Sequence, residues 1–318
     1  MASNKLIVIN IASDLGSMIK GKSLAPGAFQ DIGFIKKLQE LGYDAKEKDA
    51  LSSGPQVWTS EADFGSNGVH NEEASVQVNH DVKKSVSEAL NDGDAPPFQI
   101  IVGGGCDVAP AIMSAYWKRL SSERIGLMYV DADADLTVPS EPSSSGNLAS
   151  MTMTHLCMRH GSLESQKPFT RPDGSGVVDP SNTVIFGLNS AAPGNTPSQL
   201  GYLFDEGYRV FTSASIAKDP EGQAKKAMDW LGSRVDHIIV HLDVDAIDAT
   251  RFPLANVPQR TGADFLKIMA AMKVFLSNSQ VCGLVIAEVN PDHDPGLKMT
   301  TRLADELTKG LKERLGKS

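Results

Sequence analysis

The sequence predicts an α/β sandwich with a mostly parallel sheet, and three observations predict it. Apolar runs of strand length recur along the chain, each followed by turn residues and then by a stretch of helical period. Several of these runs are apolar on both faces, as strands covered by helices on each side must be. At 41% apolar residues, a chain of 318 residues can bury a large core. Neither a repeat nor a long linker interrupts the pattern, so one continuous domain over residues 1–318 is expected.

Taken in order, residues 6–11 form the first apolar strand and residues 34–41 the first helical stretch. A helix over 76–90 leads to a strand over 98–102, and a helix over 110–119 to a strand over 125–130. Pro, Ser and Gly mark residues 140–146 and 191–198 as surface loops on either side of a strand over 183–187. A strand over 208–211, a helix over 221–231, a strand over 238–242 and a helix over 262–276 continue the alternation. The last strand is expected over 281–289 and the last helix over 299–314, where Leu303, Leu307 and Leu311 recur every fourth residue and make one apolar stripe.

Charge and composition exclude several functions. Lys and Arg number 30 against 39 Asp and Glu, a net charge of −9, whereas nucleic-acid binders gain affinity from clustered cations. No apolar run approaches about 18 residues, so no membrane helix is expected, and residues 6–11 are too short for a signal peptide. Cys106, Cys157 and Cys282 are too few and too far apart for a disulfide framework. A cytoplasmic protein acting on a small molecule, with no nucleic-acid or membrane partner, is the expectation.

The informative residues are acids placed at strand ends. Val130 closes an apolar strand, and Asp131, Asp133 and Asp135 follow at alternate positions, so an extended backbone sends all three to one face. Residues 238–242 lead likewise into Asp243, Asp245 and Asp248. Like charges so crowded repel one another, and a cation between them keeps them ionised. The competing reading makes them helix caps or solvated loop residues; two doublets after two buried strands, where parallel sheets bind ligands, favour the cation.

A third strand end carries Gly103, Gly104, Gly105, Cys106 and Asp107, whose glycines allow a tight turn and close approach to a ligand. Cys106 is a thiolate ligand, a nucleophile or a small packed residue. Glu288 lies near the end of the last expected strand, over 281–289, among Val285, Ile286, Ala287 and Val289. An acid buried there needs a partner: either it holds a guanidinium or ammonium group of a ligand, or it is paired structurally with a buried Arg or a backbone turn. His293 and Asp294 read as a polar loop.

These motifs together resemble the ureohydrolase family of arginases, agmatinases and formiminoglutamases, over almost the whole length. Gly104 to Asp107 resembles the family's Gly-Gly-Asp-His turn, and Asp131 to Asp135 its Asp-Ala-His-x-Asp motif. Ser145 to Leu148 is similar to its Ser-Gly-Asn-Leu-His loop, Asp243 to Asp245 to its second Asp doublet, and Glu288 to Pro291 to its glutamate motif. The resemblance implies an arginase-like three-layer α/β/α sandwich, a two-manganese site at the strand ends, and a homo-oligomer, trimeric or hexameric. It also implies metal ligation by Asp131, Asp135, Asp243 and Asp245, substrate contacts from Ser145 and Asn147, and a Glu288 that faces a guanidinium.

Three departures from the family pattern qualify the resemblance. Cys106 and Asp133 stand where the family has histidine ligands, and Ala149 where arginases carry a loop histidine. A ligand set of Cys106, Asp131, Asp133, Asp135, Asp243 and Asp245 implies a divalent metal, Mg²⁺ or Mn²⁺, as one ion or two. The stretch from Leu188 to Gly194 lacks the family's acids, which makes free arginine a poor substrate.

Three functions follow as expectations. In the first, a metal-dependent hydrolase cleaves a C–N bond of a guanidine, amidine or amide other than free arginine, with Asp135 orienting water and Glu288 fixing the positive end of the substrate. Here His155 and His160 are candidates to protonate the leaving amine. In the second, aspartate-held Mg²⁺ assists a lyase or terpene-cyclase-like reaction of a diphosphate, with Met151, Met153 and Met158 lining an apolar pocket. In the third, the chain is a catalytically inactive structural or regulatory relative. Retention of both Asp doublets and Glu288 favours an enzyme.

Overall fold

The computed structural model describes residues 4–59, 64–93, 95–120, 122–142 and 144–316; residues 1–3 and Ser143 of the loop over 140–146 lie outside that set. Among the described residues, a single sheet of eight strands has the order β2-β1-β3-β8-β7-β4-β5-β6. The strands are β1 (Lys5–Asn10), β2 (Asp44–Asp49), β3 (Phe98–Val102), β4 (Ile125–Val130), β5 (Thr183–Leu188), β6 (Arg209–Thr212), β7 (His237–Asp243) and β8 (Val281–Ala287). Every pairing is parallel. The chain is a three-layer α/β/α sandwich, as the sequence predicts.

The helices are α1 (Ala25–Asp31), α2 (Phe34–Glu40), α3 (Glu72–Leu90), α4 (Ala109–Arg119), α5 (Thr152–Cys157), α6 (Pro197–Asp205), α7 (Ser213–Lys218), α8 (Pro220–Gly232), α9 (Phe265–Leu276) and α10 (Lys298–Gly316). Alternation along the strands feeds two cores. Val8, Ile100, Met128, Val240 and Ile286 pack against Phe29, Phe34, Leu231, Phe275 and Leu307 on one face. Ile9, Ile101, Leu127, Ile239 and Val285 pack against Val82, Ile112 and Leu156 on the other. None of the described helices is long and apolar enough to cross a membrane.

Several boundaries differ from expectation for physical reasons. Strand β2 escapes the apolar pattern because Asp44, Lys46, Glu47, Lys48 and Asp49 fill it; it is an edge strand, where charge blunts pairing with other chains. The last strand ends at Ala287 rather than at 289, because Glu288 adopts φ 64°, a left-handed conformation that takes the chain out of the sheet. Helix α9 starts at Phe265, three residues later than expected, behind an Asp264 carboxylate that accepts the Lys267 amide at 3.1 Å. Asp294 is no mere loop residue: it accepts from the Lys298 and Thr300 amides and the Thr300 hydroxyl, at 2.8–3.0 Å, and so anchors the start of α10.

The order of the four central strands positions the site. Strands β3, β8, β7 and β4 lie side by side, and their carboxyl ends carry Cys106, Glu288, Asp243 and Asp131 respectively. Register aligns them: Val130 pairs with Leu242, Asp243 with Ala287 and Val102 with Ile286. The four motifs, spread over 183 positions of sequence from 106 to 288, therefore emerge at one height on one edge of the sheet.

Candidate metal centre

Cys106, Asp131, His241 and Asp243 each offer one donor atom, and these atoms all lie within 4.8 Å of one another with all four residues buried. Two local features build the group. Alternation puts Tyr129 and Asp131 on one face of β4, and His241 and Asp243 on the matching face of β7. The same turn then closes both doublets: the Asp133 amide donates to Asp131 Oδ1 at 2.7 Å, and the Asp245 amide to Asp243 Oδ1 at 2.8 Å.

The donor atoms are poised for a cation. Asp131 Oδ2 and both ring nitrogens of His241 are buried without a hydrogen-bond partner. The Cys106 thiol donates to Asp243 Oδ2 at 2.6 Å. Burial, with the Asp243 charge, pushes the Cys106 thiol up, and burial with neighbouring carboxylates pushes Asp131 up. Asp243 is raised to about 8 by burial and by Glu288, and His241 is lowered to about 3 by burial. Carboxylates this costly to ionise, beside an unprotonated imidazole, are what a divalent ion relieves.

The remaining acids surround this group. Asp133, Asp135 and Asp245 line a cleft of about 350 Å³ together with Cys106, Asp243, Lys22, Asn147 and Glu288, whereas Asp131 and His241 do not line it. Burial raises the Asp133 carboxyl to about 6; its Oδ2 accepts from Gln259 Nε2 at 2.7 Å, while its Oδ1 is buried without a partner. Asp135 has φ 48° and accepts the Tyr129 hydroxyl at 2.5 Å. Asp135 and Glu288 are thus both non-glycine residues held in the left-handed region, a strain that clusters at functional sites.

Glu288 is already neutralised. The Lys22 ammonium donates to both its oxygens, at 2.7 and 2.6 Å, and the Cys106 amide donates to Oε1 at 3.1 Å. Burial alone would lower the Lys22 ammonium, but Glu288, with smaller help from Cys106 and Asp107, makes the net shift upward. Of the two readings of Glu288, pairing with a buried cation of the chain is therefore realised, with a lysine rather than an arginine. Asp14 sets the position of Lys22: its carboxylate accepts from the Gly21 amide at 2.8 Å, the Ser23 hydroxyl at 2.9 Å and the Trp58 amide at 2.5 Å.

Other expected residues fall elsewhere. Ser145 is exposed and does not line the cleft. Asn147 does line it, but its Oδ1 accepts the Ala149 amide at 3.1 Å. Asp248 closes a local turn on the Thr250 amide at 2.8 Å. Met151 and Met153 pack into the interior, so they line no substrate pocket. His155 is buried and His160 exposed, and neither borders the cleft. Sequence reasoning missed Lys22 and His241. His241 left a signal, an imidazole inside an apolar strand; Lys22, whose partner lies 266 positions away, left none.

Comparison with known proteins places these findings. The model of the arginase family matches residues 4–311. The arginase of Staphylococcus aureus strain MRSA252 is 26% identical over 292 residues, covering 90% of this chain and 91% of its own. The arginase structure from Bacillus caldovelox superposes with a TM-score of 0.81 at 20% identity, covering 100% of this chain and 99% of that one. An Entamoeba histolytica arginase in complex with L-ornithine superposes with a TM-score of 0.81 at 16% identity, covering 99% of this chain and 100% of that one.

Proposed function

From the premise that the chain belongs to the arginase family, we propose that it is a metal-dependent hydrolase of a C–N bond in a substrate other than free arginine. One observation carries the reading: Cys106, Asp131, His241 and Asp243 gather ligand atoms at the strand ends, with a thiol and a relocated imidazole in place of the histidines the family pattern leads one to expect. A catalytically inactive relative has no need for a buried carboxylate oxygen and a buried imidazole, both without partners, at one point. Diphosphate chemistry finds no support, because Lys22 alone among the lining residues is cationic and it is bound to Glu288.

The donor set decides which ion fits. Nitrogen, sulfur and carboxylate donors suit a borderline cation such as Zn²⁺ or Co²⁺ better than the Mg²⁺ favoured by carboxylates alone, and Mn²⁺ is intermediate. Asp133, whose Oδ1 has no partner, and Asp245 would serve a second ion. A bound divalent ion acidifies water and polarises a carbonyl. The chain supplies the rest. Asp135, fixed by Tyr129, holds or accepts a proton at its carboxylate, and Met18, Ile19, Lys22 and Asn147 line the cleft that would receive the substrate. Ala149 brings no imidazole to the leaving group, so solvent or Asp135 protonates the amine.

A single domain, an oligomer of three or six chains and an intracellular setting that keeps Cys106 reduced belong to the same reading and rest on family membership. The test is hydrolysis by metal-reconstituted protein, followed as ammonia or urea release from amides, ureides, amidines and guanidines with L-arginine included. The expected result is metal-dependent release from a substrate other than arginine, abolished by Asp243→Ala and by Asp135→Asn. Release from no class, or arginine as the best substrate, contradicts the proposal.

A further inference from the structure

We propose that Lys22 is the specificity-determining residue of the cleft: its ammonium permanently occupies the cation subsite at Glu288, so the substrate group facing Glu288 is a neutral hydrogen-bond acceptor, such as an amide or ureide carbonyl, and not a guanidinium or ammonium. This rests on the hydrolytic reading above and narrows it.

The geometry leaves a substrate cation no place. Lys22 and Glu288 have side-chain exposures of 1% and 9%, so the pair is held inside the protein rather than drawn together across a surface. A carboxylate accepts through about four lone-pair positions. Three at Glu288 are taken, two by Lys22 Nζ and one by the Cys106 amide. A guanidinium needs two parallel acceptors on one carboxylate, and in this cleft it would lie against another cation.

Lys22 is built in rather than incidental. Asp14 ties down the amides on both sides of it, at Gly21 and Ser23, with the Ser23 hydroxyl as a further donor. Gly21 has φ 117°, and a Cβ there would fall 2.3 Å from Asn290 Oδ1, so the loop that presents Lys22 packs directly on the segment that presents Glu288. Lys22 Nζ also carries three protons, of which Glu288 takes two. The third suits an acceptor oxygen in the cleft that Lys22 lines. The lysine thus changes the demand of the subsite from a charged donor to a neutral acceptor.

The test is binding, which needs no turnover and so separates this inference from the hydrolase reading. Methylguanidinium and methylammonium are titrated calorimetrically into the metal-loaded protein and into its Lys22→Ala and Lys22→Arg variants, with circular dichroism to check folding. Unmodified protein and Lys22→Arg are expected to show no saturable binding. Lys22→Ala is expected to bind both cations saturably and to regain thermal stability in their presence, a gain lost when Glu288→Gln is added. If Lys22→Ala does not fold, the unmodified protein still decides: Glu288-dependent binding of methylguanidinium to it overturns the proposal, and tighter binding of N-methylurea than of methylguanidinium supports it. A folded Lys22→Ala protein that gains no cation binding also overturns it.

Discussion

At the scale of single residues, the site is governed by the cost of burying charge. Glu288 and Lys22 each tolerate burial because of the other, so removing one partner leaves an uncompensated ion. Lys22→Met is expected to cost about 3–5 kcal/mol in urea unfolding. Lys22→Met combined with Glu288→Gln is expected to recover most of that loss, because the buried charges then disappear together; equal losses in the single and double variants would show that packing, not charge, matters there.

His155 offers a second test at this scale, away from the cleft. Burial lowers its imidazole to about 4 from an ordinary 6.5, and its Nε2 has no partner. Between those values the unfolded chain binds the proton and the folded one does not, so this residue's contribution is complete above pH 6.5 and is lost as pH falls toward 4. The loss amounts to about 3 kcal/mol. Folding stability measured from pH 8 to 4 for the natural chain and for His155→Gln is expected to diverge across that window in the natural chain's disfavour on the acid side. Parallel curves would contradict the assignment.

At the scale of elements, loops held by buried side chains do what the strands cannot. The segment from Asp14 to Ser23 has no regular structure before Lys22, yet Asp14 gathers the Gly21, Ser23 and Trp58 amides and the Ser23 hydroxyl. Asp14→Ala leaves these donors without their acceptor and is expected to destabilise the fold by about 2–4 kcal/mol. It is also expected to loosen Lys22, so that methylguanidinium binding appears without any change at Glu288. Unchanged stability would show that solvent replaces the carboxylate.

Element by element, legibility follows chemistry. Strands buried on both faces announce themselves, and so does the Leu303, Leu307, Leu311 stripe of α10. Strand β2 does not, because an edge strand answers to solvent and its residues are charged. Short helices such as α5 and α7, six residues each, carry too few turns for a period to emerge. Within the site, the acids were legible because they sit in alternating doublets after apolar runs. Lys22 was not, because its meaning comes from a partner on the far side of the fold, and His241 was passed over as part of an apolar strand.

At the scale of the whole molecule, the sheet converts separated motifs into one centre. Strand order places β3, β8, β7 and β4 together, and register brings their ends to one height. The price is a concentration of acids in a protein whose net charge is already −9. Stability is therefore expected to depend on a bound cation: chelation should lower the thermal midpoint and Zn²⁺ or Co²⁺ should restore it, since binding to the folded state alone adds stability. A midpoint indifferent to both treatments would mean that the acids are content without metal.

The proposed metal centre is Cys106, Asp131, His241 and Asp243. Its most direct test is titration of chelator-stripped protein with Co²⁺, followed in the near ultraviolet for thiolate-to-metal charge transfer. Saturable binding with such a band is expected, with loss of the band in Cys106→Ser and binding weakened at least about tenfold in His241→Ala. Absence of saturable binding, or binding that both variants leave unchanged, would contradict it.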